Sequence, residues 1–240
     1  MEQIISYIQA TVPGEKPDNI PNQDYIQVFE TDTIFIVSVS DGLGSSLHSD
    51  EGARLVCECV IDILKNESSA VDFKKLSDKI IKQWQQLVEL NQGLIKEYRT
   101  TNSFVSVFKK EKSILAGQLG DVMISLRIDG LFRHFETTQK EFSNETNCLG
   151  SGRNEVYKLA KYDFGYSFDF IIATDGISDE IDPTKLEAFQ NYLKDRFQVV
   201  SLENRNNELQ SEIENIMKDK NNDDKSLVYT WTNKKKYESN

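Results

Sequence analysis

Residues 102–135, "NSFVSVFKKEKSILAGQLGDVMISLRIDGLFRHF", keep a period of two through four apolar stretches separated by "KKEK", "LGD" and "IDG". A period of two puts alternate side chains on opposite faces of an extended strand, and breaks this short permit only tight returns, because a parallel crossover needs a dozen or more residues. The segment therefore predicts four consecutive antiparallel strands. "YIQVFE" (25–30) and "TIFIVSVS" (33–40), joined by "TD", predict another pair, and "DFIIAT" (169–174) and "SLVYTW" (226–231) predict two more.

Between these strands the period changes to that of a helix. Ala53, Val56, Cys57, Val60, Ile61 and Leu64 form one apolar stripe, with Ser49 as the expected N-cap and Asp50 and Glu51 in the first turn. A second helix is expected from about Asp72 to Tyr98, burying Phe73, Leu76, Ile80, Trp84, Leu87 and Leu94, and others near "DPTK" (182–185) and over 203–219. The order strands, helices, meander, strand, helices, strand predicts an α+β fold of antiparallel sheets covered by helices. No repeat, Pro-rich linker or low-complexity stretch divides the chain, so one domain is expected over 1–232, followed by a polar tail, 233–240.

Composition excludes several functions. A net charge of −11 disfavours a nucleic-acid or anionic-membrane surface, which calls for clustered Lys and Arg; the run "KKK" at 234–236 reads as a solvated end. Cys57, Cys59 and Cys148 show no disulfide framework and no Cys-x5-Arg loop, and the amino terminus has neither a basic export region nor a membrane-length apolar run. A cytoplasmic, monomeric protein that binds neither nucleic acid nor membrane is expected.

The chemistry-bearing feature is the Asp-Gly pair. In "FIVSVSDGLG" (35–44) and "DFIIATDGISD" (169–179) an apolar strand runs directly into Ser/Thr-Asp-Gly. Asp-Gly alone is a turn signal, and "IDG" at 128–130 is read as nothing more. At a strand end, however, a carboxylate is held rigidly, and the adjacent Gly admits a close backbone carbonyl, the oxygen donors that Mg²⁺ and Mn²⁺ prefer. Asp24 in "PNQD", Asp121 in "GQLGD", and Asp223 and Asp224 in "NNDDKSLVYTW" stand next to other strand ends. If such carboxylates met, their repulsion would call for a bound cation.

In order, "NQD" (22–24), "VSDGLG" (39–44), "GQLGD" (117–121), "CLGS" (148–151), "ATDGISD" (173–179) and "DDKSLV" (223–228) resemble the motif series of the metal-dependent, type 2C protein phosphatases across residues 13–232. The resemblance implies a four-layer αββα sandwich and a soluble signalling enzyme with two Mg²⁺ or Mn²⁺ ions and a possible third. It implies Asp41 bridging two ions, the Gly42 carbonyl on one, Asp175 and Asp223 on the other, Asp24 holding the reactive water, and Asp121 with Asp179 at the third position. Asp24, Asp41 and Asp175 are then the catalytic carboxylates. The implied reaction is hydrolysis of phosphoserine and phosphothreonine in a protein substrate by a metal-bridging hydroxide, countering a Ser/Thr kinase. Two positions depart from the pattern: Asn19 stands where many members carry a phosphate-gripping Arg, with Lys16 nearby, and Leu43 where some carry His. A pseudophosphatase that binds a phosphoprotein partner without turnover is the alternative. His48 and His134 are expected in surface or turn roles.

Overall fold

The computed structural model describes residues 4–16, 20–135, 147–153, 155–217 and 220–233. Asn19 and the tail beyond Asn233 lie outside the described residues. The chain runs β1 (Ile4–Val12), β2 (Asp24–Glu30), β3 (Ile34–Asp41), α1 (Ser49–Leu64), α2 (Phe73–Leu90), β4 (Asn102–Phe108), β5 (Ser113–Leu119), β6 (Met123–Ile128), β7 (Leu131–His134), β8 (Lys158–Asp163), β9 (Phe168–Ala173), α3 (Asp175–Ser178), α4 (Leu186–Phe197), α5 (Arg205–Met217) and β10 (Lys225–Asn233).

The strands form two antiparallel five-stranded sheets, ordered β1-β10-β9-β6-β7 and β2-β3-β4-β5-β8. Alternation sorts their side chains into three apolar layers. In β3, Phe35, Val37 and Val39 join Val105, Val107, Leu126, Phe170 and Ile172 between the sheets. Ile34 and Ile36 face the other way, into a cluster with Leu55, Val60, Leu76, Ile80 and Trp84 of α1 and α2. On the second sheet Ile171, Ala173, Leu227 and Trp231 pack with Leu193, Phe197, Leu209 and Ile213 of α4 and α5. Helices, sheet, sheet, helices is the four-layer sandwich that the sequence resemblance implies. Because each sheet is covered on both faces, β3, β4, β5 and β9 are buried almost throughout, and both faces of each strand carry buried residues.

Several local expectations are corrected. The sequence at 4–12 forms β1, paired over its whole length with β10. The "LGD" return does not pair β5 with β6: it carries the chain from one sheet to the other, and β6 pairs with β9 and β7. Lys158–Asp163, where no strand is expected from the sequence, is the edge strand β8. His48, not Ser49, is the N-cap of α1, and Ser49 Oγ instead accepts Gln23 Nε2 at 2.5 Å. The second helix stops at Leu90, and Phe73 and Leu94 are exposed. Asp72 does cap α2, accepting the Lys75 N–H at 3.1 Å.

Candidate metal centre

Strand pairing assembles the site. Asp24 opens β2 and Asp41 closes β3, and the antiparallel register sets them directly opposite. On the other sheet β9 ends at Ala173, Thr174 caps α3, and Asp175 is its first residue. Thr174 bridges the sheets: its hydroxyl donates to Asp24 Oδ2 at 2.8 Å and accepts the Ser226 N–H at 2.9 Å. One end of the sandwich thus gathers the first residue of β2, the last of β3 and the residues following β9.

Asp24 is 7% exposed. Burial pushes its carboxyl up to about 7, with the Thr174 and Ser226 hydroxyls opposing and the charges of Asp224 and Asp175 adding to the rise. Burial likewise raises Asp41 well above the usual carboxylate range, reinforced by Asp24, Asp175, Asp223 and Asp121. Asp175 rises to about 7 through burial and the charges of Asp223, Asp121 and Asp179. Asp24, Asp41 and Asp175 therefore form an inner group, with Asp121, Asp179 and Asp223 as charged neighbours; Asp179 and Asp223 are exposed. Asp24 Oδ1 and Asp175 Oδ1 are buried without a hydrogen-bond partner. Among the described residues no three carboxylate, imidazole or thiol groups close to the spacing of a ligated ion, so the carboxylates converge electrostatically without forming a finished shell.

Both glycines sit where the backbone is crowded. A Cβ on Gly42 would lie 2.6 Å from the Ser49 carbonyl oxygen, and one on Gly176 2.0 Å from that of Asp224. Orphaned buried carboxylate oxygens, mutual charge repulsion and an all-oxygen donor set fit a hard divalent cation.

Asp224 differs from its neighbour Asp223. It is 2% exposed, and its carboxylate accepts from Gly14 N at 2.8 Å, Gln23 N at 2.7 Å and Lys16 Nζ at 2.7 Å. Asp223 is exposed, and Lys16 Nζ stands 3.6 Å from its Oδ1. From sequence, Asp224 is legible as a strand-end carboxylate and Lys16 as a neighbour of the site, but not their pairing, and no role is assigned to Thr174 or Gln23. His48 is an exposed residue whose ring packs 5.2 Å from that of Tyr98, and His134 is exposed on β7. Cys57, Cys59 and Cys148 are buried free thiols, and burial pushes Cys57 and Cys59 up to about 12, which rules them out as thiolate nucleophiles.

The sequence model of the family described as protein phosphatase 2C matches residues 15–214. This chain belongs to the protein phosphatase 2C family. The match covers Asp24, Asp41, Asp121, Asp175 and Asp179 and stops short of Asp223. No curated protein matches the sequence. Among solved structures, RsbX in complex with magnesium is 16% identical over 97% of each chain, with a TM-score of 0.64. The catalytic domain of the serine/threonine phosphatase PstP, in complex with two manganese ions, is 14% identical over 97% of this chain and all of that one, with a TM-score of 0.65. A serine/threonine phosphatase of S. agalactiae is 16% identical over 95% and 99%, with a TM-score of 0.61. At these identities the likeness establishes the shared fold of this phosphatase 2C chain. No helix among the described residues is long and apolar enough to cross a membrane.

Proposed function

We propose that the chain is a Mg²⁺- or Mn²⁺-dependent protein serine/threonine phosphatase that opposes a Ser/Thr kinase. The observation that carries this reading is the meeting of Asp24, Asp41 and Asp175 at one end of the sandwich, with a buried, unbonded carboxylate oxygen on Asp24 and another on Asp175. Family membership and the metal-bearing folds of RsbX and PstP support it.

Asp24, Asp41, Asp175, Asp223 and the Gly42 carbonyl would hold two cations, with Asp121 and Asp179 at a third position. When bound, the cations activate water and neutralise the phosphate oxygens. The chain's own residues prepare that chemistry. The Thr174 hydroxyl fixes Asp24 through Oδ2 and leaves Oδ1 as its available donor. The main-chain carbonyl of Asp41 accepts from Thr101 N at 2.8 Å and Thr100 Oγ1 at 2.8 Å, so the strand end cannot swing away. Near neutral pH the metal-free inner group retains protons, which a cation displaces on binding.

Hydrolysis of a phosphothreonine peptide is the test: turnover is expected with Mn²⁺, lost with a chelator and restored by excess metal. Turnover that survives complete chelation contradicts the proposal. A second reading, a phosphoprotein-binding module without turnover, is favoured by Asn19 standing in place of a phosphate-gripping Arg. Metal-independent phosphopeptide binding without hydrolysis would select it.

A further inference from the structure

Lys16 is a cation embedded in a carboxylate-rich corner. Its side chain is 19% exposed, and Nζ lies 2.7 Å from Asp224 Oδ2, 3.0 Å from Gln23 Oε1 and 3.6 Å from Asp223 Oδ1. Burial lowers its affinity for a proton, but the Asp224 carboxylate more than offsets that, and the ammonium stays charged through neutral pH. Two of its three contacts, those to Asp224 and Gln23, go to groups outside the set of proposed metal ligands and anchor Lys16 in the corner.

The turn that carries Asp223 has a separate brace. Lys225, 2% exposed, sets its ammonium on Asn221 O at 2.9 Å, Asn221 Oδ1 at 3.0 Å and Asp223 O at 2.7 Å, all carbonyl oxygens of the 221–223 turn. Asn221 Nδ2 ties the same turn to Gly176 O at 3.1 Å. The shape of the turn thus rests on Lys225 and Asn221. Without Lys16, Asp224 would keep two backbone donors, Gly14 N and Gln23 N. What Lys16 adds beyond these is positive charge, placed next to a candidate metal ligand.

We propose that Lys16 and Asp224 form a charge-compensated pair that sets the cation affinity of the cleft, Lys16 lowering it and Asp224 raising it. The proposal rests on the metal-dependent reading. An ammonium near Asp223 repels an incoming divalent ion and competes for the same carboxylate, whereas Asp224 contributes the opposite field. Intact, the pair is nearly neutral. Broken from either side, it leaves one uncompensated charge, and the sign of that charge decides the outcome.

The experiment is a Mn²⁺ titration of the full chain without substrate, read by calorimetry and by the metal-induced rise in melting temperature. Lys16→Met should bind Mn²⁺ more tightly and Asp224→Asn more weakly, each by on the order of tenfold, while the double variant returns to within about threefold of wild type. Lys16→Arg, which keeps the charge, should stay near wild type. Because an uncompensated buried carboxylate can undo the fold of Lys16→Met, Lys16→Gln, which retains a neutral donor for Asp224, carries the same expectation. Weaker binding in both single variants, with additive losses in the double, would overturn the proposal and leave the pair a structural clasp. Tighter binding in Lys16→Arg would overturn it too. A wild type with no response to Mn²⁺ would remove the metal-dependent reading along with the proposal, an outcome distinct from responsive wild type with variants that move together.

Discussion

Three Asp-Gly pairs occur in this chain, and they occupy two opposite environments. Asp129-Gly130 turns the β6–β7 hairpin, with both residues at positive φ, +51° and +84°. Its carboxylate accepts Gly165 N at 2.6 Å, Tyr166 N at 2.9 Å and Ser167 N at 3.0 Å. Slight burial pushes that carboxyl up, but the three donors outweigh it and hold the group below its usual value. A Cβ on Gly130 would meet nothing, so this glycine serves only backbone conformation. At Asp41-Gly42 and Asp175-Gly176 neither glycine has a positive φ, and both are required by close approach. Burial raises both carboxyls, reinforced at Asp41 by Asp24 and Asp175 and at Asp175 by Asp223, Asp121 and Asp179. The difference teaches that the dipeptide carries no function of its own: a carboxylate held by three backbone donors closes a turn, and one buried among other carboxylates becomes, on the proposed reading, part of a cation site.

The comparison is broken most forcefully by activity. Asp41→Asn and Asp175→Asn should each lower turnover of a phosphothreonine peptide by on the order of a hundredfold or more, with the double variant little worse than either single one, since each dismantles the same group. Asp129→Asn should leave turnover within twofold of wild type. Steady-state kinetics at saturating Mn²⁺ checks all four proteins.

Proton linkage sharpens it next. A carboxyl whose folded pKa is raised contributes stability that is fully present below the unfolded pKa and is lost as pH rises through the folded one. With Asp24 and Asp175 at about 7, against 3.8 ordinarily, chelated protein should therefore lose stability between pH 6 and pH 8. The loss should be on the order of 1 kcal/mol per group, and Asp24→Asn or Asp175→Asn should flatten it. Saturating Mn²⁺ should reverse the slope, because metal and proton compete for the same oxygens. Asp129 has the opposite sign: its contribution is present above the ordinary value and is lost as pH falls through the lowered one. Melting temperatures measured across pH, with chelator and with Mn²⁺, separate the two classes.

The smallest effect belongs to the hairpin. Asp129→Asn puts an amide where at least one acceptor stood, and chemical denaturation should show a loss of about 1 kcal/mol or less.

Legibility from sequence divides along similar physical lines. The inner carboxylates were readable because each sits beside a strand whose apolar run is unmistakable, as in "IFIV" of β3 and "FII" of β9. β1 was passed over although Ser6, Ile8, Ala10 and Val12 are buried at a period of two; its partner, β10, lies more than two hundred residues away, and no local turn announces the pairing. β8, "KLAKYD", is an edge strand with no run of apolar residues to mark it. The separate fates of Asp223 and Asp224 were unreadable because they depend on Gly14, Lys16 and Gln23, which reach the corner only through tertiary packing.

The central claim, that two of the three Asp-Gly pairs converge on one cation site, is tested most directly by the Mn²⁺-induced shift in melting temperature of Asp175→Asn beside that of Asp129→Asn. Metal that binds only the folded state stabilises it by about 2.7 kcal/mol at a hundredfold excess over Kd, which is several degrees for a chain of this size. The account predicts that wild type and Asp129→Asn share that shift and that Asp175→Asn loses most of it while remaining folded without metal. A full wild-type shift in Asp175→Asn would contradict it.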